Sequence, residues 1–253
     1  MYTEERHKKI VQILEEKKRI STKELAKILN VSIDSVRRDF IKLENLGILQ
    51  RMHGGAMLKQ QTLVLPLHSI ERYKDIDNET FAIAKTAVRY IKENETIYIG
   101  GTSIHYAMVN YLPNNINYTV VTNSIVVAER IKDMDNINTI LIGGTLKPSG
   151  NITDSLAIEM LRLFHFDLVF ITGGGFTDKS ITTSSIDVAL FTKNLVEKSE
   201  RTIALMHHSK FGRNLFSHVT ELEKVDVLIT DAKIKKCDVL FNDENELDFI
   251  IAK

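Results

Sequence analysis

From Thr96 onward, short apolar segments that end in glycine or a hydroxyl residue alternate with amphipathic helical segments. The strand-like segments are IYIGGTS, TVVTNS, TILIGGT, LVFITGGG, TIALM and VDVLITD. Strands that alternate with helices predict a parallel sheet with helices on both faces, and near-continuous apolar strands fit burial on both sides. The sequence therefore predicts an α/β domain with a Rossmann-like parallel sheet.

The ends of these strands carry a predicted ligand site. Because the carboxyl ends of parallel strands meet at one edge of a sheet, we expect their glycine, hydroxyl and amide groups to converge. Glycine permits close backbone approach, helix N-termini favour anions, and Lys210 supplies a cation. The predicted site suits a phosphate or a polyol and comprises Gly101, Thr102, Ser103, Thr122, Asn123, Ser124, Gly143, Gly144, Thr145, Gly173, Gly174 and Lys210.

The segment from Ser21 to Ala56 predicts two short helices, a tight turn between them and a hairpin. Ser21 and Glu24 suit a capping box, residues 30–31 suit the turn, Ser32 suits the cap of the second helix, and Gly47 ends that helix. The run from Ile48 to Met57 predicts a wing that turns at Gly54-Gly55. Residues at helical spacing predict apolar faces: Leu25, Ile28 and Leu29, then Val36, Phe40 and Leu43.

The opposite face of the second helix is polar and basic, with Ser35, Arg37, Arg38, Asp39 and Lys42. Short polar side chains at a helix start reach base edges, and arginine reaches phosphate or guanine. This arrangement predicts a winged helix-turn-helix that binds double-stranded DNA. The predicted DNA-binding residues are Thr22, Lys23, Ser32, Ile33, Ser35, Arg37, Arg38, Lys42, Arg51 and His53.

The charge distribution agrees with this prediction. Residues 1–60 hold thirteen Lys and Arg against eight Asp and Glu, a net charge of +5. The whole chain has 33 side chains of each sign, so the remainder carries −5. A positive N-terminal part and a negative body favour DNA contact through the N-terminal part.

The length of 253 residues allows two domains. We expect a winged helix-turn-helix in residues 1–57, a linker in 58–77, and a domain in 78–253 that opens with a helix from about Glu79 to Lys92 and carries the predicted ligand site. One cysteine, Cys237, excludes a disulfide framework, and no apolar run approaches the roughly 20 residues of a membrane span. We therefore expect a cytoplasmic protein.

The sequence indicates neither a metal site nor a bound cofactor. The histidines are scattered, and the adjacent pair His207-His208 has poor geometry for one zinc ion.

The chain resembles the DeoR family of transcriptional regulators over nearly its whole length. VSIDSVRRDFIKLENLGILQRMHGGA resembles that family's winged helix-turn-helix. TNS at 122–124, IGG at 142–144, DLVFITGGG at 167–175 and SKFG at 209–212 follow the order of its sugar-phosphate sensor domain, related in fold to ribose-5-phosphate isomerase and glucosamine-6-phosphate deaminase. The resemblance implies repression of sugar or nucleoside genes, release by a phosphorylated sugar, and a homodimer or homotetramer.

The effector half departs from the family pattern at four places. Ile99 and His207 stand where the family has aspartates, and Asp154 stands where it has a glycine. The Glu-Ala-x-x-Lys motif is replaced by residues 188–192, with Lys193 displaced by one. Loss of carboxylates removes polyol contacts and keeps phosphate contacts, so the departures imply an atypical ligand or none.

Three functions stay open at the level of sequence. The first is a ligand-responsive, DNA-binding repressor. The second is a constitutive DNA binder that keeps a degenerate sensor domain for oligomerisation. The third is a sugar-phosphate isomerase or deaminase, which needs a positioned general base; Ile99 replaces the carboxylate that would serve, and Asp167 and Asp231 suit structural roles better.

Overall fold

The computed structural model describes residues 3–17, 19–45, 48–52, 54–58, 69–234 and 247–253. The chain divides into two compact units, an N-terminal unit of Met1–Gln61 and a C-terminal unit of Thr62–Lys253. No helix among these described residues is both long and apolar enough to cross a membrane.

The N-terminal unit is a helical domain with a small antiparallel sheet in the order β1-β3-β2. Its elements are α1 (Thr3–Lys17), β1 (Arg19–Ser21), α2 (Thr22–Leu29), α3 (Ile33–Asn45), β2 (Leu49–Met52) and β3 (Gly55–Leu58). The helices and the sheet enclose one apolar core, which is built from Ile10, Leu14, Ile20, Leu25, Ala26, Leu29, Val36, Phe40, Leu43, Leu49 and Ala56.

Local capping explains where α2 and α3 begin and end. The Ser21 hydroxyl accepts a hydrogen bond from Glu24 N at 3.1 Å, and the Ser32 hydroxyl accepts one from Ser35 N at 3.2 Å. Asn30 ends α2 in the left-handed conformation, with φ of 51°, which asparagine tolerates better than most residues. The two predicted caps and the predicted turn are confirmed. The second half of the predicted capping box is not, because the Glu24 carboxylate accepts from Lys17 Nζ at 2.6 Å.

Two predictions about the helix faces are wrong. Ile28 is 48% exposed and Ala26 is buried in its place, because the inner face of α2 follows positions 22, 25, 26 and 29. Asp39 is 2% exposed, because Arg6 and His7 of α1 contact its carboxylate. Helix α1 and strand β1 were not predicted, and Gly47 and His53 lie outside the described residues.

The C-terminal unit is an α/β domain around a seven-stranded parallel sheet of order β13-β12-β10-β7-β4-β5-β6. Its strands are β4 (Thr96–Tyr98), β5 (Tyr118–Thr122), β6 (Ile137–Leu141), β7 (Leu168–Ile171), β8 (Gly175–Phe176), β9 (Ser180–Thr183), β10 (Thr202–Leu205), β11 (Ser217–Glu221), β12 (Val227–Asp231) and β13 (Asp248–Ala252). Its helices are α4 (Ser69–Lys74), α5 (Asn78–Ala87), α6 (Ser103–Met108), α7 (Ile125–Ile131), α8 (Ser155–Leu161) and α9 (Ile186–Glu197).

Successive strand residues enter apolar cores on opposite faces of this sheet. Ile97 of β4 and Phe170 of β7 belong to the core on one face. Their neighbours Tyr98 and Val169 belong to the core on the other face. Strands covered on both faces cannot show polar alternation. The predicted doubly covered parallel sheet is confirmed.

Several elements of this unit differ from the sequence expectation. The predicted linker contains α4, and the predicted helix from Glu79 ends as an α-helix at Ala87 and continues as a 3₁₀ turn over Val88–Tyr90. A second sheet, of order β11-β9-β8, and the edge strand β13 were not predicted. Strands β8 and β9 have only two and four residues, too few to establish a period.

Candidate nucleic-acid interface and candidate ligand site

A groove of about 510 Å³ lies between the start of α3 and the β2–β3 hairpin. Five of the predicted DNA-binding residues line it, namely Thr22, Lys23, Ile33, Arg37 and Arg51. Lys23, Arg37 and Arg51 are exposed, and so are Arg38 and Lys42 elsewhere on α3. The fold therefore gathers cations from three separate elements around the first turns of one helix.

Thr22 connects α2 to the tip of the hairpin. Its backbone N–H and its hydroxyl both donate to the Gly54 carbonyl, at 2.8 and 3.1 Å. Gly54 has φ of +82°, a conformation that glycine adopts without steric cost. Thr22 is 8% exposed, so its side chain positions the hairpin.

Acidic side chains hold two of the arginines in this structure. Arg37 Nη1 donates to Asp34 at 3.2 Å, and both side chains are mostly exposed. Arg51 Nε donates to Glu44 at 2.6 Å, and Arg51 N donates to the same carboxylate at 2.9 Å. Exposed ion pairs contribute at most about 1 kcal/mol, so phosphate groups can displace these carboxylates at small cost.

The predicted ligand residues of the C-terminal unit follow β4, β5, β6, β7 and β10, at the carboxyl edge of the sheet. After β4, the Gly101 carbonyl accepts from Arg72 Nη1 at 2.7 Å, Tyr73 Oη at 2.9 Å and Asn151 Nδ2 at 3.3 Å. Thr102 caps α6 by accepting from His105 N at 3.5 Å. The chain order reverses between β4 and β7, the kind of position where α/β sheets bind ligands.

The segment Thr122-Asn123-Ser124 after β5 is buried, and its polar groups bond within the protein. Thr122 Oγ1 accepts from Ser124 N at 3.1 Å, and Ser124 Oγ accepts from Val127 N at 3.4 Å. The Asn123 side chain accepts from Tyr98 Oη at 2.8 Å and donates to the Ile152 carbonyl at 2.9 Å. These side chains shape the edge of the sheet and present few free polar atoms.

Asp154 organises the turn after β6. Its carboxylate accepts from Ala157 N at 3.0 Å, which caps α8, and from Thr145 N at 2.7 Å. These hydrogen bonds, led by the one from Thr145, lower the pKa of Asp154. At Gly144 φ is +138°, so glycine suits the turn there. The aspartate that departs from the family pattern therefore has a structural role.

The glycines after β7 lie against the small sheet, and Lys210 lies in the loop after β10. Gly174 N donates to the Thr182 carbonyl at 2.9 Å, and a Cβ at Gly173 would approach Ile181 to 2.5 Å. Burial lowers the pKa of Lys210, and the charge of Arg213 lowers it further. No carboxylate of the described residues pairs with Lys210, so a ligand anion would find an uncompensated cation.

Sequence reasoning missed several residues beneath this edge. Arg72 and Tyr73 lie in the predicted linker, and Asn151 follows a loop glycine. His105 is 2% exposed, its Nε2 lies 3.1 Å from the Phe170 carbonyl, and burial lowers its pKa to about 4. Tyr73 stacks on Tyr106 at 4.2 Å between ring centroids. No local pattern in the sequence marks Arg72 and Tyr73, because their shared partner, the Gly101 carbonyl, lies 28 to 29 positions away.

The chain matches two models of one family. The DeoR-like helix-turn-helix domain matches residues 6–62, and the DeoR C terminal sensor domain matches residues 77–232. It is 32% identical over 238 residues to the HTH-type transcriptional regulator GolR of Listeria innocua, covering 93% of each chain. It is 30% identical to the HTH-type transcriptional repressor GlcR of Bacillus subtilis, covering 100% of this chain and 98% of the relative.

A third relative is the glycerol-3-phosphate regulon repressor of Escherichia coli, 27% identical, with 90% of each chain covered. Among solved structures, ribose 5-phosphate isomerase A from Neisseria gonorrhoeae is 16% identical, with a TM-score of 0.40 over 54% of each chain. The family models account for both units of the fold, and the match to the sensor domain alone spans more than half of the chain. The chain belongs to the DeoR family of transcriptional regulators.

Proposed function

We propose that this protein is a transcriptional repressor that binds operator DNA through α3 and the β2–β3 hairpin, and that a phosphorylated sugar at the carboxyl edge of the C-terminal sheet relieves the repression. The observation that carries the DNA-binding part is the groove in which Lys23, Arg37 and Arg51 surround the start of α3. The regulated genes then belong to carbohydrate or nucleoside metabolism, in line with the E. coli relative named for a glycerol-3-phosphate regulon.

The N-terminal unit supports major-groove binding by α3. Val36, Phe40 and Leu43 bury the inner face of α3 in the apolar core. The opposite face of the helix is therefore exposed to solvent and accessible to DNA. Ser32 and Ser35 at its start suit contacts to base edges, and Arg37, Arg38 and Lys42 suit guanine or phosphate contacts. The hairpin supplies Arg51 to the flanking backbone. Operator reading by such domains uses paired half-sites, so the working form is a homodimer or homotetramer.

The carboxyl edge supports an anionic effector. Lys210 provides a partly buried cation, and Thr102, Ser103 and Thr145 carry hydroxyls at the same edge. Gly101 and Gly144 let Asn151 and Asp154 pack closely against the turns that carry these hydroxyls. The hydrogen-bonded segment 122–124 holds this edge in shape. Ile99 is fully buried in the core, so no carboxylate reaches the ligand from that position. These features favour recognition of the phosphate over the sugar hydroxyls.

The same features speak against catalysis by the C-terminal unit. Asp167 accepts from Thr96 N at 2.6 Å, and Asp231 accepts from His208 N at 2.8 Å. Both carboxylates therefore accept hydrogen bonds from backbone N–H groups of neighbouring segments, which is a structural role. The side chain of Ile99 cannot transfer a proton. Binding without turnover is the better account of the site.

The DNA-binding part is tested with Arg37→Gln. We expect a loss of about 1–3 kcal/mol in affinity for sites recovered by genomic footprinting if Arg37 reads a base, and a shallower salt dependence on random duplex DNA if it binds phosphate. The matched control is Arg162→Gln, since Arg162 forms a similar exposed i,i+3 ion pair with Glu159 in the C-terminal unit. Equal affinity and an equal salt slope for the two variants would exclude Arg37 from the interface.

The effector part is tested by thermal shift with triose, pentose and hexose phosphates, with inorganic phosphate and free sugars as controls. A ligand at about 100 times its dissociation constant should stabilise the fold by about 2.7 kcal/mol. Lys210→Ala should abolish that stabilisation, whereas Lys179→Ala, at an exposed turn position, should retain it. A full shift in the Lys210 variant would remove Lys210 from the site.

A second candidate is a constitutive DNA binder whose C-terminal unit serves oligomerisation alone. The internally bonded side chains of Thr122, Asn123 and Ser124 and the buried Ile99 favour it. It predicts that no sugar phosphate shifts the melting temperature, while Arg37→Gln still weakens DNA binding.

A further inference from the structure

Five ionisable side chains from distant parts of the chain meet at one end of the carboxyl edge. His207 and His208 follow β10, Asp231 ends β12, Asp77 caps α5 and Glu79 lies in its first turn. Donor atoms of His207, His208 and Asp231 lie within 4.8 Å of one another, and so do donor atoms of Asp77, Glu79 and His207. His207 therefore belongs to two groups of three.

The spacing between His207 and Asp77 is that of two ligands on one ion. His207 Nδ1 hydrogen-bonds with Ser209 Oγ at 2.8 Å. Its Nε2 is buried and lies 3.1 Å from Asp77 Oδ2. Donors about 2.0–2.2 Å from a tetrahedral zinc ion are separated from each other by roughly 3.3 Å.

His208 is held in the way that metal-binding histidines are usually held. Its Nδ1 lies 2.8 Å from Asp231 Oδ1, and its backbone N–H donates to Asp231 Oδ2 at 2.8 Å. The Asp231 side chain is 1% exposed, so the pair is fixed. A carboxylate on one ring nitrogen sets the tautomer, leaves the other nitrogen with its lone pair and raises its basicity.

The surrounding charges favour a cation. Asp77, Glu79 and Asp231 contribute three carboxylates, and the competing Lys233 reaches Glu79 at 2.7 Å from a largely exposed position. Neutral imidazole and ionised carboxylate are the forms of these side chains that bind a metal ion.

We propose that His207 and Asp77 bind a divalent first-row transition-metal ion, with Glu79 and the His208–Asp231 pair completing the site. Imidazole with carboxylate suits zinc, cobalt and nickel better than magnesium. Two adjacent histidines have poor geometry for one metal ion when no other ligands are near. Here, ligands from other parts of the chain lie close to His207. The sheet order places β12, and with it Asp231, beside β10, and helix α5 packs against these two strands and adds Asp77 and Glu79.

The test is titration of the metal-free full chain with Co²⁺, followed by displacement with Zn²⁺, and with Mg²⁺ as the hard-ion comparison. We expect one equivalent of Co²⁺ to bind with the visible absorption of a low-coordinate nitrogen–oxygen site. His207→Gln and Asp77→Asn should each weaken binding by at least about tenfold. Asparagine still caps a helix, so Asp77→Asn should melt like the parent protein.

Two control variants make the result specific. His218→Gln removes an exposed histidine that lies 3.3 Å from Glu221, and it should leave Co²⁺ affinity unchanged. Cys237→Ser removes the single thiol, which lies outside the described residues, and it should also have no effect. The proposal is overturned if the parent chain shows no saturable binding, if His207→Gln and Asp77→Asn both bind normally, or if binding is lost with Cys237→Ser.

Discussion

Asp39 lies on α3, the helix that carries Arg37 and Arg38, yet its carboxylate is 3% exposed. It accepts from Arg6 Nε at 2.6 Å and contacts His7 Nε2 at 3.0 Å. Burial alone would raise the pKa of Asp39, but the hydrogen bonds and charges of Arg6 and His7 outweigh it and lower the pKa. The ionised form therefore stabilises the fold above the ordinary aspartate pKa, and the contribution is lost as the pH falls through the lower folded-state value.

Asp39→Asn should lower the unfolding free energy of the N-terminal unit by about 2–3 kcal/mol, because Arg6 loses its charged partner inside a partly buried contact. Hydrogen exchange of the full chain should then quicken in α1 and α3 and stay unchanged in the C-terminal unit. The control is Asp34→Asn, an exposed carboxylate on the same helix, with an expected change within about 0.5 kcal/mol. Equal effects of the two variants would contradict a special role for Asp39.

At the scale of elements, the turn between β4 and α6 organises the carboxyl edge. Three donors from α4 and from the loop before α8 converge on the Gly101 carbonyl. Gly101 itself has no room for a side chain, because a Cβ there would overlap Asn151 Oδ1 and would lie 2.6 Å from Ser124 Oγ. The loops after β4, β5 and β6 are therefore packed as one piece.

Gly101→Ala should destabilise the C-terminal unit by about 1–3 kcal/mol, since the added methyl group must displace Asn151 and Ser124. Gly143→Ala is the matched control, because its Cβ would meet only Met160 Sδ at the ordinary distance of 3.5 Å. Chemical denaturation of both variants measures the difference. A Gly101 variant as stable as the Gly143 variant would show that this edge rearranges freely.

At the scale of the whole molecule, repression with relief requires that occupancy of the carboxyl edge alter DNA affinity. A coupling of about 1–3 kcal/mol corresponds to a change of roughly 5–150-fold, and it must be reciprocal. Such coupling arises only if the ligand binds the DNA-competent and DNA-incompetent states with different affinity.

A sugar phosphate that stabilises the protein should therefore weaken DNA binding by a factor in that range, and DNA should weaken ligand binding by the same factor. Fluorescence anisotropy measures the first and calorimetry with saturating DNA the second. With Lys210→Ala, the DNA affinity should be insensitive to the sugar phosphate. Ligand binding without any change in DNA affinity would favour the constitutive binder.

The elements that could be predicted from the sequence are those determined by neighbouring residues. Ser21, Ser32 and Asn30 define helix ends within three or four positions, and apolar runs mark the parallel strands. The two-residue and four-residue strands β8 and β9 offer no such period. The local pattern places Asp39 on the polar, solvent-facing side of α3. Its burial could not be predicted, because its partners Arg6 and His7 lie more than 30 residues away in the sequence.

The amino-acid sequence alone thus determined the two architectures, the caps of α2 and α3, and the family, because periodicity, capping and motif order are local properties. The tertiary structure alone decided which side chains meet. Asn151 reaches Gly101 across 50 positions, and His207 reaches Asp77 because α5 begins beside the end of β10. Such contacts follow from strand order and crossover connections, which bring distant segments together by burying apolar faces and leave no trace in local spacing.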